Sequence, residues 1–177
     1  MWGEAEEFLR KDKYIGPLVK RWGSCSIKPI RKPLYFEDLV DAICSQQLSG
    51  KAAKTIFNRV KDAVGGKMTP ESILGKTDQE LRNCGLSWAK VKYVKDLAEQ
   101  TLNSKLEILK LDKLPDEEVV RELMAVKGIG RWTAEMFLMF SLARADILPE
   151  DDLGINKALK NLKHTKVYLC LSLRANE

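Results

Sequence analysis

Apolar residues recur at steps of three and four along almost the whole chain, and no stretch sustains an alternation of period two. Side chains spaced in this way fall on one stripe of a helix and on both faces of a strand, so the pattern predicts an all-α fold. At 177 residues, 45% hydrophobic and 31% charged, the chain has enough apolar material for one ordinary core, or for two small lobes sharing one. Nowhere is there an apolar run of roughly 18 residues, and the first residues, MWGEAEEFLRKDK, are charged where a signal peptide is greasy. We therefore expect no membrane association, and a place in the cytosol, or in a nucleus where the source has one.

Individual helices can be read from their stops and starts. After a basic, proline-punctuated segment, Lys28 to Pro33, a helix is predicted from Phe36 to Ser45. A second begins near Ser49, puts Ala52, Ala53, Ile56, Val60 and Val64 on one stripe, and ends at Gly65 and Gly66. Thr69-Pro70 opens a short helix with proline at the tolerated first position, and Thr77-Asp-Gln-Glu80 is a capping box for the next, which Gly85 stops. A longer helix from Ser87 should bury Val91, Val94, Leu97, Ala98 and Leu102. Pro115-Asp116 starts another with Val119, Val120, Leu123 and Met124 inward. With no internal repeat or low-complexity linker, residues 1–177 read as a single helical domain of eight or more short helices.

Charge and cysteine usage narrow the chemistry. Thirty Lys and Arg against 25 Asp and Glu leave a formal net charge of +5, a modest bias toward a polyanionic partner. Cys25, Cys44, Cys84 and Cys170 are scattered without a CxxC pair, and His164 is the sole histidine. Zinc sites, histidine-based triads and iron-sulfur clusters all lack their raw material, and the thiols are expected to be reduced and mostly buried.

The most informative stretch is Leu123-Met-Ala-Val126-Lys-Gly128-Ile129-Gly130-Arg-Trp132-Thr133-Ala134, where two helical patterns meet at a turn with two glycines around an aliphatic residue. Glycines at 128 and 130 tolerate positive φ and carry no side chain to hold a ligand away, so amides at the start of the following helix can approach a phosphate. Lys127 and Arg131 add diffuse positive charge, and Ile129 plugs the gap between the helices. Such contacts hold nucleic acid without reading its sequence. The plain alternative is a helix connection in which both glycines serve only the turn.

The pattern h-x-x-h-x-G-h-G followed by an amphipathic helix resembles the helix-hairpin-helix motif, and GIGRWTAEMF resembles its version in the 3-methyladenine (alkylpurine) branch of the helix-hairpin-helix DNA glycosylase superfamily. The resemblance covers roughly Tyr14 to Leu162. It implies two helical lobes with the active site between them, a helix-hairpin-helix over about 116–142, and contacts to double-stranded DNA with a damaged base through Lys127, Gly128, Ile129, Gly130, Arg131 and Thr133. It further implies a monomeric, water-using enzyme of base excision repair whose chemistry requires no cofactor and no metal held by side chains, with a metal ion held by hairpin carbonyls and a phosphate left open. Trp132 stands where bifunctional relatives carry a lysine nucleophile, so no Schiff base is expected. Trp132 and Met136 are the candidate base pocket, an electron-rich ring suiting a cationic methylated purine. A core role for Trp132 is the alternative, and Met136 replaces the aromatic ring that some members have.

Ile147-Leu-Pro149-Glu-Asp151-Asp152-Leu153-Gly154-Ile155 is a carboxylate cluster in a basic protein. Alone it reads as a helix start, with Asp151 or Asp152 as cap. After this hairpin, LPEDDLGI resembles the catalytic turn of the superfamily, about 147–155, and Asp152 matches its aspartate. Ile43-Cys-Ser45-Gln46-Gln47-Leu48-Ser49-Gly-Lys-Ala52-Ala53 likewise resembles the turn that enters the minor groove to fill the hole left by a flipped base. Gln46, Gln47 and Leu48 are the wedge candidates, unless the glutamines only satisfy helix-end backbone groups. Gly85-Leu-Ser-Trp88-Ala-Lys90 and Tyr35-Phe36 are weaker matches. The ending, Lys163 to Glu177, lacks the final aromatic and arginine-bearing helix usual in the family, which leaves pocket closure open. Two rivals follow: a same-fold glycosylase for oxidised or mismatched bases, and a non-catalytic DNA-binding module.

Overall fold

A computed structural model describes residues 2–161, so His164, Cys170 and the unusual ending lie outside the described residues. Among these residues every regular element is helical, as the period of three and four predicts. They group into two compact units, residues 28–144 and residues 2–27 with 145–161.

The larger unit is built from α3 (Tyr35–Ser45), α4 (Gly50–Ala63), α5 (Pro70–Leu74), α6 (Asp78–Asn83), α7 (Trp88–Leu102), α8 (Asp116–Met124) and α9 (Arg131–Met136). Its core takes Leu39, Val40 and Ile43 from α3, Val60 from α4, Ile73 and Leu81 from the two short helices, and Val91, Val94 and Leu97 from α7. Val119 and Leu123 of α8 and Leu138 beyond α9 complete it, and the Tyr35 and Phe137 rings meet edge to face at 5.4 Å. Spacings of three, four and seven within each helix place these side chains on one stripe.

The predicted boundaries hold to within a residue or two. The Thr77 hydroxyl accepts from the Glu80 amide at 3.2 Å while the Glu80 carboxylate accepts from the Thr77 amide at 2.8 Å. Thr69 and Ser72 make the same reciprocal pair ahead of α5. Gly65, Gly66 and Gly85 take φ of 80°, 82° and 108°, values that terminate a helix and suit glycine. Three stripe positions differ from expectation: Ala52, Leu102 and Met124 are exposed. The last two sit at the ends of α7 and α8, where the buried face has run past its neighbours.

The smaller unit contains α1 (Gly3–Arg10), α2 (Ile15–Trp22) and α10 (Leu153–Asn161). Asp12 joins the first two by accepting from the Tyr14 and Ile15 amides at 2.8 and 2.7 Å. At Gly16 a Cβ would lie 2.6 Å from the Arg10 carbonyl oxygen, so glycine permits the close turn. Trp2 Nε1 donates to the Ile27 carbonyl at 3.0 Å. Among the described residues no helix is long and apolar enough to cross a membrane.

Candidate functional site

The chain leaves α8 at Ala125 and re-enters helix at Arg131 through a tight turn in which the Ile129 amide donates to the Val126 carbonyl at 3.1 Å. Val126 and Ile129 are 1% and 4% exposed, so the aliphatic plug is in place. The two glycines differ in role. Gly128 has φ of 82°, and a Cβ there would lie 2.1 Å from the Tyr93 ring. Gly130 is extended, at φ −93° and ψ 171°, with nothing within 4 Å of the position a Cβ would take. The protein's own packing therefore requires Gly128, whereas at Gly130 the missing side chain opens space only for something outside the fold. As N-cap of α9, Gly130 supplies no side-chain oxygen to the first-turn amides.

The flanking cations are partnered. Lys127 Nζ lies 3.1 Å from Asp96, whose carboxylate also accepts from the Lys127 amide at 2.9 Å and from the Gln100 side chain at 2.7 Å. Burial works against the Asp96 charge, but these hydrogen bonds and the ammonium outweigh it and hold the carboxyl below its usual range. Arg131 grips Glu117 through two nitrogens at 3.0 and 3.2 Å, and the guanidinium keeps that carboxyl low as well. The Arg131–Glu117 pair is exposed on both sides, and such a pair contributes at most about 1 kcal/mol, so a phosphate can exchange for the Glu117 carboxylate. Thr133 is only 5% exposed, which leaves its backbone rather than its hydroxyl as a means of contact.

The turn between α3 and α4 separates the three wedge candidates. Gln46 is drawn inward: its Nε2 donates to the Gly128 carbonyl at 2.7 Å, across 82 residues of sequence. Gln47 has φ of 58° and is exposed, as is Leu48 at 41%. Lys90 Nζ reaches behind the turn to donate to the Cys44 and Gln46 carbonyls at 2.8 and 2.6 Å. Lys90, Tyr93 and Asp96 were not singled out as site residues by sequence reasoning. The available signal was the recurrence of polar side chains at 90, 93, 96 and 100, one face of α7.

Trp132 is 44% exposed on α9 and Met136 is half-buried one turn later. Neither lines the groove of about 480 Å³ formed by Glu117, Val120, Arg121, Met124, Ala125 and Arg131. In the smaller unit Asp152 is the residue before α10, and its Oδ1 accepts from the Ile155 amide at 2.8 Å. A Cβ on Gly154 would come within 3.0 Å of that oxygen, so the glycine gives the carboxylate room. Asn156 ties the turn down, donating to the Glu150 carbonyl at 2.6 Å. Asp151 is exposed. Of the cysteines, Cys44 and Cys84 are buried and free, whereas Cys25 is free but exposed, an exception to the expected burial. Burial pushes the Cys44 thiol up to about 12.

Comparison with known proteins gives a consistent family. The profile of the HhH-GPD superfamily base excision DNA repair proteins matches residues 40–167. DNA-3-methyladenine glycosylase 1 of Schizosaccharomyces pombe is 40% identical over 142 residues, 76% of this chain and 62% of the relative. The DNA-3-methyladenine glycosylase of Saccharomyces cerevisiae is 37% identical over 178 residues, 93% of this chain and 60% of that protein. The chain thus spans about three-fifths of the length of these two relatives. Among solved structures, the Schizosaccharomyces pombe 3-methyladenine DNA glycosylase (Mag1) in complex with abasic DNA superposes with a TM-score of 0.76 at 37% identity, covering 94% of this chain and 86% of that one.

Proposed function

This chain belongs to the HhH-GPD superfamily of base excision DNA repair proteins, and from that premise we propose that it is a monofunctional DNA glycosylase hydrolysing the N-glycosidic bond of alkylated purines of the 3-methyladenine type in double-stranded DNA. The names of the relatives at 37% and 40% identity support the substrate class. In this reading residues 1–177 serve one reaction, with the helix-hairpin-helix over 116–142 and the catalytic turn over 147–155. The protein acts as a monomer in a compartment that holds DNA.

The observation that carries the chemistry is the fixed carboxylate of Asp152, oriented by the Ile155 amide at 2.8 Å and given space by Gly154. Cleavage of the glycosidic bond leaves positive charge on the deoxyribose, and a carboxylate close by stabilises that oxocarbenium-like state while orienting the water that attacks C1′. A unit charge about 4 Å away at an effective dielectric near 20 contributes about 4 kcal/mol, on the order of a thousandfold in rate. An alkylated purine is already cationic and leaves readily, so one carboxylate suffices. Trp132 offers its exposed ring to the cationic base, Met136 lines the same helix, and no lysine at 132 is present to form a Schiff base. Gln47 and Leu48 fill the vacated stack, and the hairpin binds backbone phosphate.

The bond from Ile155 to Asp152 is also what an ordinary helix start needs, which makes a non-catalytic DNA-binding module the second reading. The two are separated by measuring free bases released from methylated duplex DNA by the wild type and by Asp152→Asn. Release of 3-methyladenine by the wild type, with a loss on the order of a thousandfold in the variant and unchanged duplex affinity, is expected. Full release by Asp152→Asn overturns the assignment of that residue, and binding without release by both proteins favours the module.

A further inference from the structure

One face of α7 holds both of the loops that the glycosylase reading sends to DNA. Lys90 lies in its first turn, and its ammonium binds the Cys44 and Gln46 carbonyls at 2.8 and 2.6 Å. Farther along, Tyr93 packs where Gly128 lacks a Cβ, and Asp96 accepts from the Lys127 amide. Gln100 then donates to the Ala125 carbonyl at 3.1 Å. Gln46 closes the arrangement by donating to the Gly128 carbonyl at 2.7 Å, so the 46–48 turn and the hairpin are tied to one helix and to each other.

This bracing matters because of the backbone it holds. Gln47 sits at φ 58°, a region that an L residue with a side chain enters at a cost, and such a conformation persists only where its surroundings over-determine it. The carbonyls taken up by Lys90 flank the end of α3, where carbonyls lack helical partners, and a half-buried ammonium with two strong acceptors is well placed to keep them fixed. Lys90 thus holds the turn through its backbone carbonyls, while the Gln47 and Leu48 side chains stay exposed.

We propose that Lys90 is a positioning residue for recognition of the flipped nucleotide, acting with Gln46 to hold the strained 46–48 turn at a set spacing from the hairpin so that Gln47 and Leu48 are presented ready to fill the gap in the stack. The inference rests on the glycosylase reading. It makes a distinction that general weakening of the fold does not: the turn engages when a nucleotide is out of the helix, whereas binding to intact duplex depends on the hairpin's phosphate contacts.

The test uses the whole chain and two duplexes at the same salt concentration, one undamaged and one with a tetrahydrofuran abasic-site analogue, together with thermal melting. For Lys90→Met, affinity for the abasic duplex is expected to fall about tenfold and that for undamaged duplex by less than about twofold. Lys90→Arg, which keeps several donors, is expected to restore the abasic affinity to within about threefold. Gln46→Met, which removes only the tie to Gly128, is expected to lose about threefold on the abasic duplex alone and keeps the inference testable if Lys90→Met does not fold. Equal losses on both duplexes, no loss on either, or failure of Arg to rescue in a protein that melts normally would each overturn it. A wild type with no preference for the abasic duplex brings down the glycosylase reading itself, and this inference with it.

Discussion

Gly128 and Gly130 are two residues apart and answer to different forces. At Gly128 a methyl group meets the Tyr93 ring at 2.1 Å and the backbone lies at φ 82°, so Gly128→Ala combines overpacking with strain. We expect it to lose about 2 kcal/mol or more, a fall in melting temperature of roughly 4–8 °C, and to bind DNA poorly for that reason. At Gly130 neither obstacle exists. Gly130→Ala is expected to cost at most about 1 kcal/mol, as alanine is a poorer N-cap, yet to weaken binding to duplexes of any sequence. Melting curves beside titrations with two unrelated duplexes check the pair; a Gly130→Ala protein that binds like the wild type removes the phosphate-binding role from the hairpin. At Asp152 the hydrogen bond that caps the helix start also fixes the direction of the carboxylate, which is what the proposed catalytic role needs.

Among the elements, α6 is short enough for its first turn to decide its stability. Thr77 and Glu80 satisfy each other's amides, and the Thr77 amide and hydroxyl, with Lys76 beside them, hold the Glu80 carboxyl down at about 2. A carboxyl depressed from 4.5 contributes stability that is fully present above 4.5 and is lost as pH falls through about 2. Thr77→Ala is expected to cost about 1 kcal/mol at neutral pH, and its deficit relative to wild type should shrink as pH drops from 4.5 toward 2. Chemical denaturation at pH 7 and near pH 3 tests this; a deficit independent of pH would mean that Glu80 takes no part. This cap was legible in the sequence because donor and acceptor are three residues apart. The outward turn of Leu102 and Met124 was not, because periodicity places a side chain on a stripe without saying where the neighbouring helix ends.

At the scale of the molecule, Asp38 of α3 is bonded to the Ser141 hydroxyl just beyond α9, joining segments 103 residues apart within the larger unit. Burial raises its carboxyl, only partly opposed by that hydrogen bond, so it takes up a proton more readily in the folded than in the unfolded state. Stability from this group therefore falls as pH rises from 3.8 through the raised value. Asp38→Asn is expected to melt higher than wild type at pH 7 and alike below pH 3.8, and a variant that melts lower at both would assign the carboxylate a structural role. What the sequence by itself determined was local: the helical class, the helix start at Thr69-Pro70 and the cap at Thr77, the G-h-G turn, and the motifs that place the chain in its family. These depend on residues within one or two turns of each other, whose geometry the backbone largely dictates. The tertiary structure alone decided that Gly130 faces open space, that Gln46 turns inward to Gly128, and that Lys127 and Arg131 meet Asp96 and Glu117. Most of these contacts span tens of residues and exist only once helices pack, because a side chain's partner across the core is set by how neighbouring surfaces interlock rather than by its place in the chain.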